Sequence, residues 1–521
     1  MSTVDFISLT GAIVPDRTAL VVDSERISFS HVAERSNKVA NALQGLGVGH
    51  GDKVAMMDVN CSQFVETYFG VARLGAIFVP LNYRARQDEL SYLLQHAEAS
   101  VVIVGERYVD LVNLARAEAP GVKHIIALGK AQSGMLSYED IVSAASDDEV
   151  FPDVGPEDVT LLLYTAGTTG RPKGVPLTHG SFESYMAENV SPPDMEIEET
   201  NLLAVPLYHV AGFQAVLAAI YGGRTLAIMG QFDEEGWLAT VERERVNRAM
   251  LVPTMLKRVI DHPSFDKHDL SSLRLVTYGA ASMPLEVIKK AIKVLPGVKF
   301  INAFGQTETS STVLALGPED HDLSGTPEEV EKKLQRLSSS IGKPLPGAEV
   351  AVLDEEGNPL GPNEVGVIAV RGQRVMSGYW KDSEKTSQSM TASGWLKTGD
   401  MGWQDEDGYF FLAGRGDDMI IRAGENISPE EVEQVLQSHP KVEEAAVIGV
   451  TDPDWGQQPK AVVVLKAGQQ ATPEELMEHC RSNLASFKRP RDVVFVSSLP
   501  RNPMGKVIRK ALREMYGQAE S

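Results

Sequence analysis

Tyr164-Thr165-Ala166-Gly167-Thr168-Thr169-Gly170-Arg171-Pro172-Lys173-Gly174 runs on from a short apolar stretch, Val159 to Tyr164. That stretch has the pattern of a brief buried strand, so the loop is presented at a strand end. Gly167 and Gly170 let backbone N–H groups approach anionic oxygens with no Cβ in the way. Thr165, Thr168 and Thr169 add hydroxyl donors and Lys173 adds a cation, which together suit a polyphosphate. The loop is not a Walker A loop: Lys173 stands three residues beyond Gly170, and Gly174 follows it where Ser or Thr would be needed. A glycine-rich loop alone is more often an ordinary surface turn. Gly, Thr and Lys combined directly after a strand reverse that preference.

Upstream of the loop, short apolar strands alternate with helical periodicity. Ile27 to Ser30 reads as a strand, and His31 to Gln44 as a helix with Val32, Val39, Ala40 and Leu43 on one face and Gly45 as its stop. Lys53 to Met57 and Val101 to Val104 read as further strands, the pattern of an α/β layer protein. From Gly342 to Val370 the signal changes to short β-rich runs, Glu349 to Leu353 and Val365 to Val370, separated by turns such as Glu356-Gly357-Asn358-Pro359. Past Gly416 a compact α+β unit begins, with helices starting at Ser428-Pro429 and Thr472-Pro473, each a cap followed by proline. Strands are expected near Ala445 to Val450 and Ala461 to Leu465, and a charged solvated helix over Glu328 to Arg336. No internal repeat is present.

At 521 residues the chain is too long for one ordinary core, which implies two or more domains. The net charge of -22 works against a nucleic-acid partner, because duplex binding draws on clustered Lys and Arg. A small polyanion needs only a few well-placed donors. Cys61 and Cys480 are far apart and in no metal-ligand spacing, so neither a disulfide nor a zinc site is expected, which fits a reducing cytoplasm. Met1 to Val21 carries Asp5 and Asp16 and no basic region before an apolar run, so no signal peptide is expected. No stretch nears the roughly 20 apolar residues of a membrane span. Gln518-Ala519-Glu520-Ser521 is not a peroxisomal tripeptide.

Further motifs follow in order. Asn302-Ala303-Phe304-Gly305-Gln306-Thr307-Glu308 offers a ring for stacking, a hydroxyl donor, and one hard oxygen ligand for a cation that keeps most of its waters. A Thr-Glu pair by itself is more often a helix cap. Asp400, ending Gly394-Trp395-Leu396-Lys397-Thr398-Gly399-Asp400, is a carboxylate able to accept two hydrogen bonds at once, as a vicinal diol requires. In Gly414-Arg415-Gly416-Asp417-Asp418, Gly416 adds the backbone freedom of a hinge. Thr277-Tyr278-Gly279-Ala280-Ala281 and Arg422-Ala423-Gly424-Glu425-Asn426-Ile427 would each pass for ordinary turns. His209, in Pro206-Leu207-Tyr208-His209-Val210-Ala211-Gly212-Phe213, reads either as a pocket wall or as a packed core histidine. Lys506, in Pro500-Arg501-Asn502-Pro503-Met504-Gly505-Lys506, would ordinarily be just a solvated lysine.

Together, from Ile27 to Arg509, these motifs resemble those of the adenylate-forming superfamily: acyl- and aryl-CoA ligases, beetle luciferases and peptide-synthetase adenylation domains. The match is greatest to the AMP-forming acid:CoA ligases. Ala166 stands where many members have Ser, removing one side-chain donor. The resemblance implies an α/β fold: a large N-terminal domain, residues 1–416, of two α/β layered subdomains plus a small β-rich subdomain, then a small mobile α+β C-terminal domain, residues 417–521. It implies ATP, Mg²⁺ and coenzyme A as co-substrate, a small-molecule carboxylic acid, no nucleic acid and no transmembrane segment, and it is compatible with a homodimer.

By the same resemblance Thr165, Ala166, Gly167, Thr168, Thr169, Gly170 and Lys173 hold the phosphates. Gly279, Ala280, Ala281, Asn302, Ala303, Phe304, Gly305 and Gln306 surround the nucleotide, with Phe304 against the adenine. Thr307 touches the α-phosphate, Glu308 helps hold the metal, Asp400 takes the ribose hydroxyls, and Arg415 reaches ribose or phosphates. Lys506 bridges the carboxylate and the α-phosphate, the small domain turns about Asp417, and Gly424 and Glu425 line the thiol tunnel. His209, Phe213, Gly279, Gly305 and Ser310 form the acyl pocket, where the small residues leave room for a bulky acid and Phe213 shortens the cavity. Loading of a separate carrier protein is the nearest alternative. A luciferase-like oxygenase and a non-catalytic nucleotide sensor come after it, the last disfavoured because both Glu308 and Lys506 are present.

Overall fold

Apolar, β-branched runs make the strands of this chain, and the amphipathic runs between them make helices that cover the sheets. The computed structural model describes residues 1–151, 153–165, 171–415, 418–422, 425–452, 455–501 and 507–517. The strand that delivers the glycine/threonine loop, Val159–Thr165, belongs to a seven-stranded sheet. Its order is Leu136–Ser137, His124–Ala127, Ala99–Val104, Lys53–Met57, Ile77–Pro80, Val159–Thr165, Lys173–Thr178. All pairings are parallel except the last, where Thr165 lies opposite Lys173. Parallel strands covered on both faces must be apolar throughout, and Val54 to Met57 and Val101 to Val104 are accordingly all buried.

A second sheet of thirteen strands begins at Glu349–Leu353, Gly366–Arg371, Leu396–Gln404, Phe410–Arg415 and Ser340–Pro344. It continues through Ser311–Leu316, Lys299–Gln306, Leu275–Gly279, Arg248–Leu251, Thr200–Leu203, Thr225–Ile228, Thr18–Val22 and Glu25–Ser28. From Thr18–Val22 to Lys299–Gln306 the pairings are parallel; beyond Lys299–Gln306 they are antiparallel. The β-rich part expected from the sequence is therefore continuous with an α/β sheet. The join is Ser340–Pro344, paired to Ser311–Leu316 at only two positions. Gly342 there has φ +92°, and a Cβ on it would be driven into the backbone of Ala315, so only glycine permits the close approach.

One apolar cluster fills the space between the two sheets, and others cover the far face of each. The helix expected from His31 starts two residues earlier, at Phe29, because the Ser28 hydroxyl accepts from His31 N at 3.2 Å and buries Phe29 behind the cap. A helix over Thr3–Ile13, not expected from the sequence, packs Phe6 and Ile7 into the central cluster. Its apolar residues run around much of its surface, so it has little amphipathic signature to read.

The C-terminal sheet orders Glu425–Ile427, Ile420–Arg422, Gly456–Leu465 and Val442–Asp452, with Asp492–Phe495 parallel to Gly456–Leu465. Ser428 and Thr472 cap the helices Pro429–Gln437 and Pro473–Asn483 as expected. Cys61 and Cys480 are both free thiols. Among the described residues no helix is long and apolar enough to cross a membrane.

A buried polar chain secures the N-terminal helix. Thr160 Oγ1 donates to Tyr68 OH at 3.2 Å, Tyr68 OH donates to Thr3 Oγ1 at 2.8 Å, and Thr3 N donates to His179 Nδ1 at 3.2 Å. Because a backbone N–H must donate, Nδ1 is an acceptor and His179 is neutral, with its proton on Nε2. Burial pushes its pKa down to about 4 from an ordinary 6.5. The unfolded chain thus binds more protons between those values, and stability is full above about pH 6.5 and lost as pH falls toward 4, by on the order of 3 kcal/mol at most. Urea midpoints should fall between pH 7.5 and 5.0, with the fall reduced in His179→Asn; identical slopes for both proteins would show that this histidine is not the sensor.

Candidate active site

Four motifs far apart in the chain meet where the parallel block of the large sheet gives way to the antiparallel one. Residues Ala166, Gly167, Thr168, Thr169 and Gly170 lie outside the described residues, as do Asp417, Gly424 and Lys506. The two ends of the loop are placed. Thr165 and Lys173 face each other across the hairpin, and Thr165 Oγ1 is buried with no partner among the described residues. Beneath it the Tyr164 hydroxyl meets His96 Nδ1 at 2.9 Å.

Lys173 reaches across to a residue not expected from the sequence. Its ammonium lies 4.6 Å from the centre of the Tyr379 ring and donates to the phenol oxygen at 3.5 Å. The Tyr379 hydroxyl in turn donates to Glu308 Oε1 at 2.9 Å. Burial, then the adjoining Glu308 carboxylate, raise the Tyr379 pKa far above the usual phenol range, so it stays a proton donor. Glu308 sits on a single 3₁₀ turn, Thr307–Thr309, that follows strand Lys299–Gln306; Gln306 N donates to Thr309 Oγ1 at 3.0 Å and closes that turn. Glu308 is one carboxylate without a surrounding cage, since among the described residues no three His, Cys, Asp or Glu side chains group as a metal site. That donor set fits Mg²⁺, which keeps most of its waters, and would not fit a fully protein-ligated ion.

Gln306 joins a further motif. Its Nε2 donates to Thr398 O at 2.8 Å and to Asp400 Oδ2 at 3.1 Å. Asp400 is buried, on strand Leu396–Gln404, and its backbone lies opposite Arg415. Phe304, half-buried on the strand carrying Gln306, packs on Leu314, Ile341, Val352, Ile368 and Phe410. Asn302 and Ala303 pair with Tyr278 and Gly279 of the neighbouring parallel strand.

The small residues around this strand are small for a backbone reason. A Cβ at Gly279 would meet Ala303 O, and one at Gly305 would meet Ser311 O. The space next to these glycines is occupied by the adjacent strands, so the room they were expected to leave for a bulky acid goes to sheet packing; each can offer a ligand only backbone. Ala280 has φ +67°, a left-handed conformation unusual for alanine, and turns the chain out of the sheet to an exposed Ala281.

His209 caps helix Val210–Tyr221 and is half-buried, its ring 4.2 Å from that of Tyr208. Phe213 is fully buried against Tyr68 and Phe78, at 5.3 and 5.7 Å between ring centres. It is a member of the central core cluster. Ser310, at φ +52°, donates to Arg374 O at 2.8 Å. In the C-terminal part, Arg509 is held by Glu433 at 2.9 Å, Glu430 at 3.0 Å and Asp418 at 3.5 Å. Burial opposes its charge, but these carboxylates hold it protonated more firmly than usual. The segment that follows Lys506 is thereby tied to the residue that follows Asp417.

The site thus gathers a cation, two carboxylates, a hydroxyl-lined strand end and an aromatic ring. Comparisons with known proteins give matches along nearly the whole chain. The chain matches the model of the AMP-binding enzyme family over residues 10–380 and that of the AMP-binding enzyme C-terminal domain over residues 431–506. It is 32% identical over 520 residues to an indoleacetate–CoA ligase of Aromatoleum aromaticum, spanning 99% of each chain. It is 36% identical over 506 residues to a feruloyl-CoA synthase of an Amycolatopsis species, spanning 96% of each. The solved anthranilate CoA ligase AuaEII, in complex with anthranoyl-AMP, superposes with a TM-score of 0.88 at 30% identity, covering 99% of this chain and 97% of that one.

The steric reading of the glycines is directly testable. Gly305→Ala should destabilise the protein by about 1–3 kcal/mol, the usual cost of overpacking. Gly45→Ala, where no atom lies within 4 Å of the added Cβ, should be neutral or slightly stabilising. Equal thermal midpoints for the two variants would remove the steric argument.

Proposed function

This chain belongs to the AMP-binding enzyme family, and we propose that it is an AMP-forming carboxylic acid:CoA ligase whose adenylating centre is the Lys173, Tyr379, Glu308, Gln306 and Asp400 constellation. The observation that carries this reading is the Gln306 amide: it holds Asp400, suited to a ribose diol, while Gln306 itself stands two residues before Glu308, suited to a phosphate-bound cation. The residues assigned to the sugar and to the phosphate-bound cation thus lie close together at one strand end, which supports the reading.

The acid substrate, with a pKa of about 4–5 by analogy with Asp and Glu, is already ionised at neutral pH. Its attack on the α-phosphate needs no general base. It needs alignment, and neutralisation of the charge on the phosphoryl oxygens and departing pyrophosphate. Lys173 and the Thr165 hydroxyl supply donors at the loop, Thr307 a donor at the α-phosphate, and Lys506 a cation between the two reacting anions. Mg²⁺, held by Glu308, supplies further charge neutralisation when bound. Phe304 lies along the adenine and Arg415 reaches the ribose or phosphates. The acid lies among His209, Phe213, Ser310 and the backbone at Gly279 and Gly305.

In the second half-reaction the coenzyme A thiol attacks the acyl carbon and AMP leaves. We assign residues 1–416 to the adenylating domain and 417–521 to a C-terminal domain that turns about Asp417, withdrawing Lys506 and bringing up the loop of Gly424 and Glu425. Supporting this, the contacts that link the two parts include polar ones, such as Lys257 Nζ to Glu443 at 2.7 Å and Gln434 Nε2 to Ser338 O; polar contacts of this kind are exchanged with water at little cost. The acid is aliphatic, alicyclic or aromatic, and the ring-bearing acids named for the relatives head the panel to screen. The two free thiols suit the cytoplasm, and a homodimer is compatible with this reading.

Two variants separate the half-reactions. Lys506→Ala should lower acid-dependent pyrophosphate release about 10²–10³-fold, as removal of one preorganised donor does, while thioester formation from supplied acyl-adenylate stays near native. Equal loss of both would refute the bridging role. Asp417→Pro should impair thioester formation more than adenylation, and undiminished overall turnover would rule out the hinge. If pyrophosphate release proceeds across the acid panel yet thioester forms on a carrier protein and not on coenzyme A, the acceptor assignment is wrong.

A further inference from the structure

Ser377-Gly378-Tyr379-Trp380 lies far along the chain from both Lys173 and Glu308, yet its backbone is fastened to each. Met376 N donates to Glu308 O at 2.9 Å, and Trp380 N donates to Gly174 O at 2.8 Å. Tyr379 N is bound by Thr386 Oγ1 at 2.9 Å. Gly378, at φ +154°, would carry any Cβ to 2.6 Å from Thr386 Cγ2, so the approach to that threonine requires glycine. Tyr379 is therefore stapled on both sides, to the turn that bears Glu308 and to the strand that bears Lys173.

We infer that Tyr379 is a positioning residue for the cation and phosphate site: its phenol orients the Glu308 carboxylate toward the metal while its ring holds Lys173 over the same site. The inference rests on the ligase reading above, which gives Glu308 the metal and Lys173 the phosphates. A phenol has one proton to donate, and here it goes to Glu308 Oε1 at 2.9 Å. One carboxylate oxygen is fixed, and the other and the remaining lone pairs are left for the cation. The ammonium sits over the ring at 4.6 Å and against the hydroxyl at 3.5 Å. Lys173 and Glu308 are thus linked through a neutral group. A direct ion pair would cancel both charges and would have to be broken when the nucleotide entered; the phenol keeps both charges available. A tyrosine that served packing alone would have no reason to place its hydroxyl between a cation and a carboxylate from two separate motifs.

Phenylalanine at this position keeps the ring and removes only the hydroxyl, so it divides the two contacts. The full-length enzyme, loaded with a non-hydrolysable ATP analogue, is titrated with Mn²⁺ and the free ion is read by electron paramagnetic resonance. Tyr379→Phe should weaken Mn²⁺ binding about tenfold, the size expected for one hydrogen bond to a charged group. Binding of the metal-free analogue should stay within about twofold of native, because the ring still carries Lys173. Tyr379→Leu should weaken both. In turnover, Tyr379→Phe should raise the Mg²⁺ concentration for half-maximal adenylation. Glu308→Gln is titrated in parallel. If it loses Mn²⁺ affinity while Tyr379→Phe matches the native isotherm, the inference falls and the ligase reading stands. If both match the native isotherm, Glu308 is not the metal ligand, and the inference falls with that assignment.

Discussion

The strand Lys299–Gln306 runs between two neighbours that approach too closely for side chains, Ala303 O against Gly279 and Ser311 O against Gly305. Much else follows from that contact. On one side the strand pairs in parallel with Leu275–Gly279, on the other antiparallel with Ser311–Leu316. The close approach brings a parallel α/β layer and an antiparallel β layer onto one continuous sheet. The strand ends in a tight turn, so that Thr307 and Glu308 follow Gln306 directly at its C-terminal end. A strand with ordinary side chains at 279 and 305 would stand off its neighbours and carry that turn out of register.

Two carboxylates at this strand end take hydrogen bonds from neutral groups. Asp400 takes an amide hydrogen bond from Gln306, and Glu308 takes a phenol hydrogen bond from Tyr379. A neutral donor of this kind orients a carboxylate without cancelling its charge. The C-terminal part uses the opposite arrangement. There Arg509 is buried among Glu433, Glu430 and Asp418, and breaking such a cluster by removing one partner is costly. The first arrangement must open to a ligand at every turnover. The second ties Arg509 to Asp418 across the C-terminal unit.

Much of the fold was legible because local chemistry determines it. Ser428-Pro429 and Thr472-Pro473 start helices where cap and proline say they should, and Lys53–Met57 and Glu349–Leu353 are strands to the residue. The helix Thr3–Ile13 was not legible, since it is held by the distant Tyr68 and His179. Tyr379 was missed for the same kind of reason: Gly-Tyr-Trp has no period or spacing that separates a site tyrosine from a packed one. Phe213 was expected in the acyl pocket as the residue that shortens the cavity, and its ring packs against Tyr68 and Phe78 in the main core.

By itself the amino-acid sequence determined which groups were available: glycines and threonines at a strand end, Lys173, Glu308 and Asp400 in order, and a compact C-terminal α+β unit. Those are properties of short stretches, where backbone freedom, hydrogen-bonding capacity and charge depend on neighbours in the chain. Tertiary structure decided which of them meet. Glu308 and Lys173 share one phenol, Gln306 holds Asp400, and the glycines serve the sheet because the neighbouring strands lie close against them. Such contacts depend on the register of pairing and on burial, and neither is a property of any single stretch of sequence.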